Sequence, residues 1–317
     1  MEKKRYTLLI TCYNFENFIR EAVESALAQT YEPLDIIVSD DCSLDRSWDV
    51  IQEIVAAYKG PHHVILNHNE TNLGFAANLN KSCALARTDW VLNQSGDDIS
   101  LPTRVERYAE VIERNPRLRC VGSWYEAIDE YGNAKATPKN WRQFSSANVN
   151  KVLIPMVIGV VAAYHMDVFR VFGPMCTQVW NEDTVLPFRA KLIGDIGWVD
   201  EVLVRYRFHD TNMSGGTTGN QRLRTAGYTN RRQPAIYQQL IDLYVAEKLF
   251  PERGREFLKM RRILDGEVYL KWLASNWVLH PKWRIMLLAD LFSSLYHMRK
   301  FFNKVVSRVL RAIQDRI

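Results

Sequence analysis

Leu92-Asn93-Gln94-Ser95-Gly96-Asp97-Asp98-Ile99-Ser100-Leu101-Pro102 is the stretch on which the fold reading turns. It continues the apolar Trp90-Val91, breaks at a small residue and a glycine, then presents two adjacent carboxylates. Pro102 stands where a helix can begin, because a missing N–H costs nothing in a first turn. Carboxylates at the C-terminal end of a strand sit where open α/β sheets bind their ligands. Two neighbouring acids repel each other, and a divalent cation relieves that repulsion. By itself Gly-Asp-Asp reads more readily as a solvated turn that caps a helix. The rest of the chain has to decide.

Working outward, apolar runs and helical periodicities alternate. Tyr6–Cys12 predicts a short buried strand, and Phe15, Phe18, Ile19, Ala22, Val23, Ala26 and Leu27 recur at helical spacing behind it. Leu34–Ser39 predicts a second strand, running into Asp40-Asp41. Ser43 or Asp45 then caps a helix whose apolar face is Trp48, Ile51, Ile54, Val55 and Tyr58. His63–Leu66 predicts a third strand, Asn69–Gly74 a turn, and the residues through Ala86 a helix. Asp89–Leu92 predicts the fourth strand, Leu101–Arg114 a helix and Leu118–Trp124 the fifth strand. Such alternation argues for βαβ units and a mainly parallel sheet flanked by helices. Beyond Trp124 the expectations are a hairpin turn at Asp129–Asn133, a strand and short helix within Val152–Phe169, and a strand at Trp198–Phe208. From Gln221 onward the pattern is almost wholly helical.

The 317 residues, 47% hydrophobic and 24% charged, suit a globular protein with a sizeable core. A net charge of +5 does not imply nucleic acid. The five cysteines are odd in number and none forms a Cys-x-x-Cys pair, so neither a disulfide framework nor a zinc ribbon is indicated, and a reducing compartment is expected. The apolar run behind Lys3-Lys4-Arg5 is too short for a signal peptide. The longest uncharged stretch, Val152–Tyr164, is shorter than the roughly 20 residues of a spanning helix and is broken by Pro155 and Gly159.

The C-terminal segment differs in character. Between Lys282 and Arg316 eight basic residues face two acidic ones, Asp290 and Asp315. Ile285, Leu288, Phe292, Leu295, Phe302, Val306, Val309 and Ile313 recur at helical spacing, with Lys300, Lys304, Arg308 and Arg311 on another face. A basic amphipathic helix of this kind reads as binding an anionic membrane surface. Packing on the domain or in a homo-oligomer is the alternative.

In a parallel sheet the strand ends converge, so Thr11-Cys12-Tyr13-Asn14, Asp40-Asp41 and Asp97-Asp98 should share one lip. The lip offers a ring for a base to stack on and carboxylates for base, ribose and metal. No Gly-x-Gly-x-x-Gly and no Gly-x-x-x-x-Gly-Lys occurs, which sets dinucleotide oxidoreductases and P-loop enzymes aside.

These residues resemble those of a family 2 glycosyltransferase of the GT-A fold, inverting and of the bacterial surface-polysaccharide type. The likeness spans roughly residues 5 to 215. It rests on Thr11-Cys12-Tyr13-Asn14, Val38–Ser43, Asn72–Asn80, and Ser95-Gly96-Asp97-Asp98 with Leu101-Pro102. Asn181-Glu182-Asp183 with Arg189, and Tyr206-Arg207-Phe208-His209 leading to Ser214, follow in the same order. It implies a GT-A domain over 1–219, and the helical pattern beyond it marks 220–317 as a helical extension with basic, membrane-associating helices. It also implies that Thr11 and Tyr13 line the nucleobase pocket and that Asp41 accepts from the base. Asn72, Gly74 and Asn80 would shape the loop closing on the nucleotide, and Asp97 would lie against ribose or sugar. Asp98 would bind Mn²⁺ or Mg²⁺ through the donor diphosphate. His209 would be a further metal or phosphate ligand beside a lid-like loop, Asp210–Gly219, rich in Gly, Thr, Asn and Ser. Asp183 would be the catalytic base, with Glu182 and Trp180 near the acceptor. Ser95 stands where the family often has Asp, which leaves fewer ribose contacts.

The chemistry those roles serve is direct. A sugar hydroxyl displaces a nucleoside diphosphate in line, so a carboxylate must take its proton and a cation must neutralise the leaving group. The expected partners are a UDP-, dTDP- or GDP-linked sugar and a glycan or lipid-linked saccharide acceptor in polysaccharide or O-antigen-type synthesis. The expected location is the cytoplasmic face of the cell membrane. A nucleotidyltransferase would want a basic, glycine-rich loop after the first strand, where Tyr13-Asn14-Phe15-Glu16 has neither. A non-catalytic nucleotide-sugar-binding module is the third reading.

Overall fold

The computed structural model describes residues 3–135, 153–210, 212 and 233–277. Among them an eight-stranded sheet runs in the order β3-β2-β1-β4-β7-β6-β8-β5. Its strands are β1 (Tyr6–Cys12), β2 (Leu34–Asp40), β3 (His63–His68), β4 (Trp90–Ser95), β5 (Ile99–Ser100), β6 (Leu118–Ile128), β7 (Ala163–His165) and β8 (Asp195–Arg207). The helices are α1 (Ile19–Leu27), α2 (Ser47–Ala57), α3 (Phe75–Leu85), α4 (Arg104–Arg114), α5 (Asp167–Arg170), α6 (Glu182–Ile193), α7 (Gln233–Leu249) and α8 (Gly254–Trp277).

β1 lies between β2 and β4, parallel to both, and each of its residues is buried. A strand covered on both faces reads as a continuous apolar run, as Tyr6–Cys12 does. Its side chains alternate between two cores. Tyr6, Leu8, Ile10 and Cys12 join α1, α2 and α4 residues on one face, while Leu9 joins Ala76 and Leu79 of α3 and Val185 and Leu186 of α6 on the other. α1 buries Ile19, Ala22, Val23 and Ala26, the residues its spacing marks as apolar.

The mainly parallel sheet expected from the pattern is present, with two strands running against it. β7 pairs antiparallel with β4 and β6, and β5 pairs antiparallel with β8. β5 also corrects a boundary. Leu101–Thr103, expected to open a helix, instead follow the short strand β5 as a turn, and α4 begins at Arg104. The backbone explains it: Leu101 donates to Leu203 across the sheet, and Thr30 donates to the Pro102 carbonyl. Those bonds hold the segment out of helical geometry.

Compactness divides the chain into two units, Met1–Arg261 and Arg262–Ile317. α7 belongs to the first, where Arg189 of α6 grips Asp242 of α7. The expected boundary at residues 219 and 220, the basic segment 282–316, and most of the loop 210–219 lie outside the described residues.

Candidate active site

Strand register builds the lip. Thr11 sits beside Ser39 on one side and Ser95 on the other, and Cys12 beside Asp40. Where the strands end, Asp41 N donates to Cys12 O at 2.9 Å and Gly96 N to Thr11 O at 2.8 Å. Tyr13, the two Asp pairs and the Gly96 turn are thus brought to one edge. Thr11 is buried beneath it, and Tyr13 is 39% exposed on it, an accessible face for a ring to stack on.

The acid pair is held by the end of β8. Asp98 is wholly buried, and its Oδ1 accepts the Arg207 N–H at 2.8 Å. Arg207 is itself buried and ties the turn further: Nε donates to the Asp97 carbonyl at 2.9 Å, Nη1 to the Glu130 carbonyl, and Nη2 pairs with Glu21. Burial first, and Asp97 second, push the Asp98 carboxyl well above the usual carboxylate range, against the pull of Arg207. Gln94 locks the turn from within by donating to the Ala22 and Asp98 carbonyls and accepting from the Ser100 hydroxyl.

Asp97 has a different set of neighbours. Its Oδ2 lies 2.9 Å from His209 Nε2 and accepts from Asn212 Nδ2 at 3.2 Å. The His209 ring packs on Phe18, centroids 4.6 Å apart, with Phe15 edge-on at 6.0 Å. Sequence expectation paired His209 with Asp98; the structure pairs it with Asp97, because Arg207 N occupies the Asp98 oxygen on that side. Among the described residues no group of three or more His, Cys, Asp or Glu forms a metal cluster. Two buried carboxylate oxygens, Asp97 Oδ1 and Asp98 Oδ2, nonetheless lack a hydrogen-bond partner among them. The Asp97 orphan, beside His209, is what a hard cation satisfies, whereas burial disfavours the charged form of Asp98; a small set of protein ligands suits a metal that fills its shell with phosphate oxygens. The residues fit Mn²⁺ or Mg²⁺.

The base end of the lip is a hydrogen-bonded scaffold. Asp41, 3% exposed, accepts from Leu73 N and Asn69 Nδ2 on Oδ1 and from Gly74 N on Oδ2, all within 2.9 Å. It therefore ties down the Asn69–Gly74 loop, which leaves one lone pair of the carboxylate for a ligand. Asn72 Oδ1 also takes Gly74 N. Gly74, at φ +82°, has the left-handed backbone that favours glycine. Asn80 does not join this loop: both ends of its amide are bound to the Met175 backbone. Asn78 faces the loop instead, bonded to Ser39 and Asn69. Asp40 is buried, paired to His68 at 2.9 Å and to Ser43. Asn14 and Ser43 lace the first two strand ends together, Asn14 accepting from Leu44 N and Ser43 accepting from Asn14 N.

Asn181, Glu182 and Asp183 open α6. Asp183 is half-buried in the first turn, and its carbonyl accepts from Val157 N at 3.0 Å. Glu182 is buried beside it, and Trp180 is half-buried before it. Burial, then the Asp183 charge, push the Glu182 carboxyl up to about 8. Trp124 donates to Asp200 at 2.6 Å and meets Trp198 edge-on at 4.8 Å. Arg207, Asn212, Asn78 and Gly159 were not singled out in the sequence. The contacts that bring them to the site — Arg207 and Asn212 to the acid pair, Asn78 to Ser39, Gly159 to Glu182 — span tens of residues, and no local spacing signals such pairs.

The fold agrees with what known proteins show. The model of the family described as "Glycosyl transferase family 2" matches residues 7–173, more than half of the chain. Over 128 residues the chain is 31% identical to EpsE of Bacillus subtilis, a protein named as a glycosyltransferase; the match spans 40% of this chain and 45% of EpsE. It is 24% identical over 326 residues to an uncharacterized glycosyltransferase of Haemophilus influenzae, spanning 94% of this chain and 97% of the relative. Among solved structures, the mannosyltransferase PcManGT of Pyrobaculum calidifontis, in complex with GDP-Man and Mn²⁺, superposes with a TM-score of 0.57 at 15% identity, covering 99% of this chain and 87% of that one. The chain belongs to glycosyl transferase family 2 and is a glycosyltransferase of the GT-A fold.

Proposed function

We propose that this enzyme performs a metal-dependent, inverting transfer of a sugar from a UDP-, dTDP- or GDP-linked donor to a hydroxyl of a glycan, plausibly lipid-linked, in surface-polysaccharide synthesis. The observation that carries the reading is the Asp97–His209 pair at the strand lip, with an orphaned buried oxygen on Asp97 beside it. Asp97 and His209 would hold the metal, and Asp98 would brace the turn through Arg207. When bound, the cation neutralises charge on the leaving diphosphate. The PcManGT complex with GDP-Man and Mn²⁺ supports a donor and metal of this kind.

Tyr13 offers its ring to the nucleobase, and Asp41 its remaining lone pair. The Asn72–Gly74 turn closes on the nucleotide. The acceptor oxygen forms its bond to the anomeric carbon as the bond to diphosphate breaks, and the hydroxyl proton passes to the Asp183 carboxylate. Trp180 gives the acceptor sugar a stacking face. The basic segment 282–316 holds the enzyme on the inner face of the cell membrane, near that acceptor, and a homo-oligomer is compatible with it.

The test is turnover of UDP-, dTDP- and GDP-sugars with a saccharide acceptor, with Mn²⁺, with Mg²⁺ and with EDTA. One donor class should be consumed, and EDTA should stop it. Asp183→Asn should lower kcat by about 10²–10⁴ with KM for the donor little changed. An Asp183→Asn enzyme as fast as the wild type sinks the base assignment.

A further inference from the structure

Glycine at 159 has an unusual reason to be there. Its φ lies outside the left-handed region, so no backbone strain calls for glycine. Space does. A Cβ at this position would stand 1.8 Å from Glu182 Oε1 and 2.9 Å from Glu182 Cδ, with Asn93 Nδ2 3.5 Å away. The Glu182 carboxyl therefore lies directly against the bare backbone of the Gly159–Val161 turn. That turn is rigid: Arg104 binds the Asn93 and Val160 carbonyls at 2.8 and 2.7 Å, and Asn93 N binds Ala162 O. The recess is walled by fixed backbone on one side and the first turn of α6 on the other.

We propose that Gly159 is a positioning residue: its missing Cβ makes the recess in which Glu182 is stowed, and this leaves Asp183 as the one carboxylate of the Glu182-Asp183 pair offered to the acceptor. The proposal rests on the reading of Asp183 as the base. The groups around Glu182 reinforce it. Asp183 is on its own helix, the buried Tyr164 phenol comes from β7, and the Asn93 amide from β4. Burial raises the Tyr164 phenol well above its ordinary value, with Glu182 and Asp183 among the charges adding to that. Among the described residues no cation pairs with Glu182. A carboxyl so placed keeps its proton up to about 8. Two like charges at adjacent positions are then avoided at neutral pH.

The consequence for stability has a definite sign. The folded chain holds a proton on Glu182 that the unfolded chain releases near 4.5. Stability contributed by this group is thus present below that value and is lost as pH rises towards about 8. The melting temperature of wild type, Glu182→Gln and Gly159→Ala is to be followed from about pH 5.5 to about pH 8.5. Glu182→Gln carries no titrating proton, and in Gly159→Ala the added methyl meets only the far end of a flexible side chain, which swings out of the recess. Both variants should lose less Tm across the range than the wild type. Equal losses in all three overturn the proposal. Should a variant fail to fold, carboxyl ¹³C titration of the glutamate-labelled wild-type chain decides: a Glu182 resonance moving in the ordinary carboxylate range overturns it.

A second readout separates positioning from catalysis. At neutral pH Glu182→Gln should keep turnover within about tenfold of wild type, with the acid limb of kcat/KM, set by the Asp183 base, still present. A fall as deep as that of Asp183→Asn makes Glu182 catalytic and overturns the stowed role. The melting and titration arms involve no turnover. Their failure leaves the base role of Asp183 standing, and an active Asp183→Asn leaves the recess standing.

Discussion

Asp97 and Asp98 are neighbours in sequence and opposite in circumstance. Asp98 is sealed, with Arg207 N on one oxygen; Asp97 meets His209 and Asn212. Asn at 98 keeps an acceptor for Arg207 N and carries no charge to desolvate. Asp98→Asn should therefore fold, and Mn²⁺ should still raise its Tm in the presence of UDP or GDP. Asp97→Asn should lose that metal-dependent shift, and His209→Ala should weaken the metal by about 10–100-fold. The reverse pattern, with only Asp98→Asn losing the shift, would restore Asp98 as the ligand. The acid pair and its place after a strand were legible in Ser95-Gly96-Asp97-Asp98. The different surroundings of the two acids were not, because they are set by Arg207 and His209, more than a hundred residues away. Asn80 misled for the same reason. Its spacing marks the helix after the nucleotide loop, but only the packing of Met175 on that helix decides which way its amide turns.

At the scale of elements, apolar runs located the strands and 3.6-residue spacing the helices, since both cores of this sheet demand those periods. The two antiparallel strands were harder. β7, of three residues, was expected only as a strand somewhere within Val152–Phe169, and β5, of two, is too short for any alternation to register. Arg189 shows the same limit at a helix pair. Its motif was visible, but its purpose emerges from α7: it is wholly buried, binds Asp242 through Nε at 2.8 Å and Nη2 at 3.1 Å, and reaches the Gly173 carbonyl. Burial pushes the Asp242 carboxyl up, against the pull of Arg189. Desolvation thus offsets much of the attraction within the pair. Asp242→Ala strands a buried guanidinium and should cost about 3–5 kcal/mol in chemical denaturation. Replacing both, as Arg189→Met with Asp242→Leu, should recover most of that loss. A double variant as unstable as the single one would mean that the pair, rather than shape, holds α7 on α6.

For the molecule as a whole, the proposed lip accounts for the donor and not for how the enzyme reaches its acceptor. Among the described residues no helix is long and apolar enough to cross a membrane. The segment proposed to meet a membrane surface runs from Lys282 to Arg316, eight basic residues against two acidic. Lys and Arg near an anionic surface contribute about 1 kcal/mol each, within a Debye length of roughly 8 Å at physiological salt. Binding of that origin has a signature. The full chain should sediment with vesicles of phosphatidylglycerol and phosphatidylcholine, less so with phosphatidylcholine alone, and should be released as salt is raised. A chain lacking 282–317 should stay in the supernatant at every salt concentration while still turning over a soluble saccharide acceptor. That second condition separates loss of an anchor from loss of fold, because the Asp97–His209 pair and Asp183 lie wholly within the Met1–Arg261 unit. A truncated chain that sediments as well as the full one places the membrane contact elsewhere, and leaves the basic helical face to an oligomer or to packing within the chain.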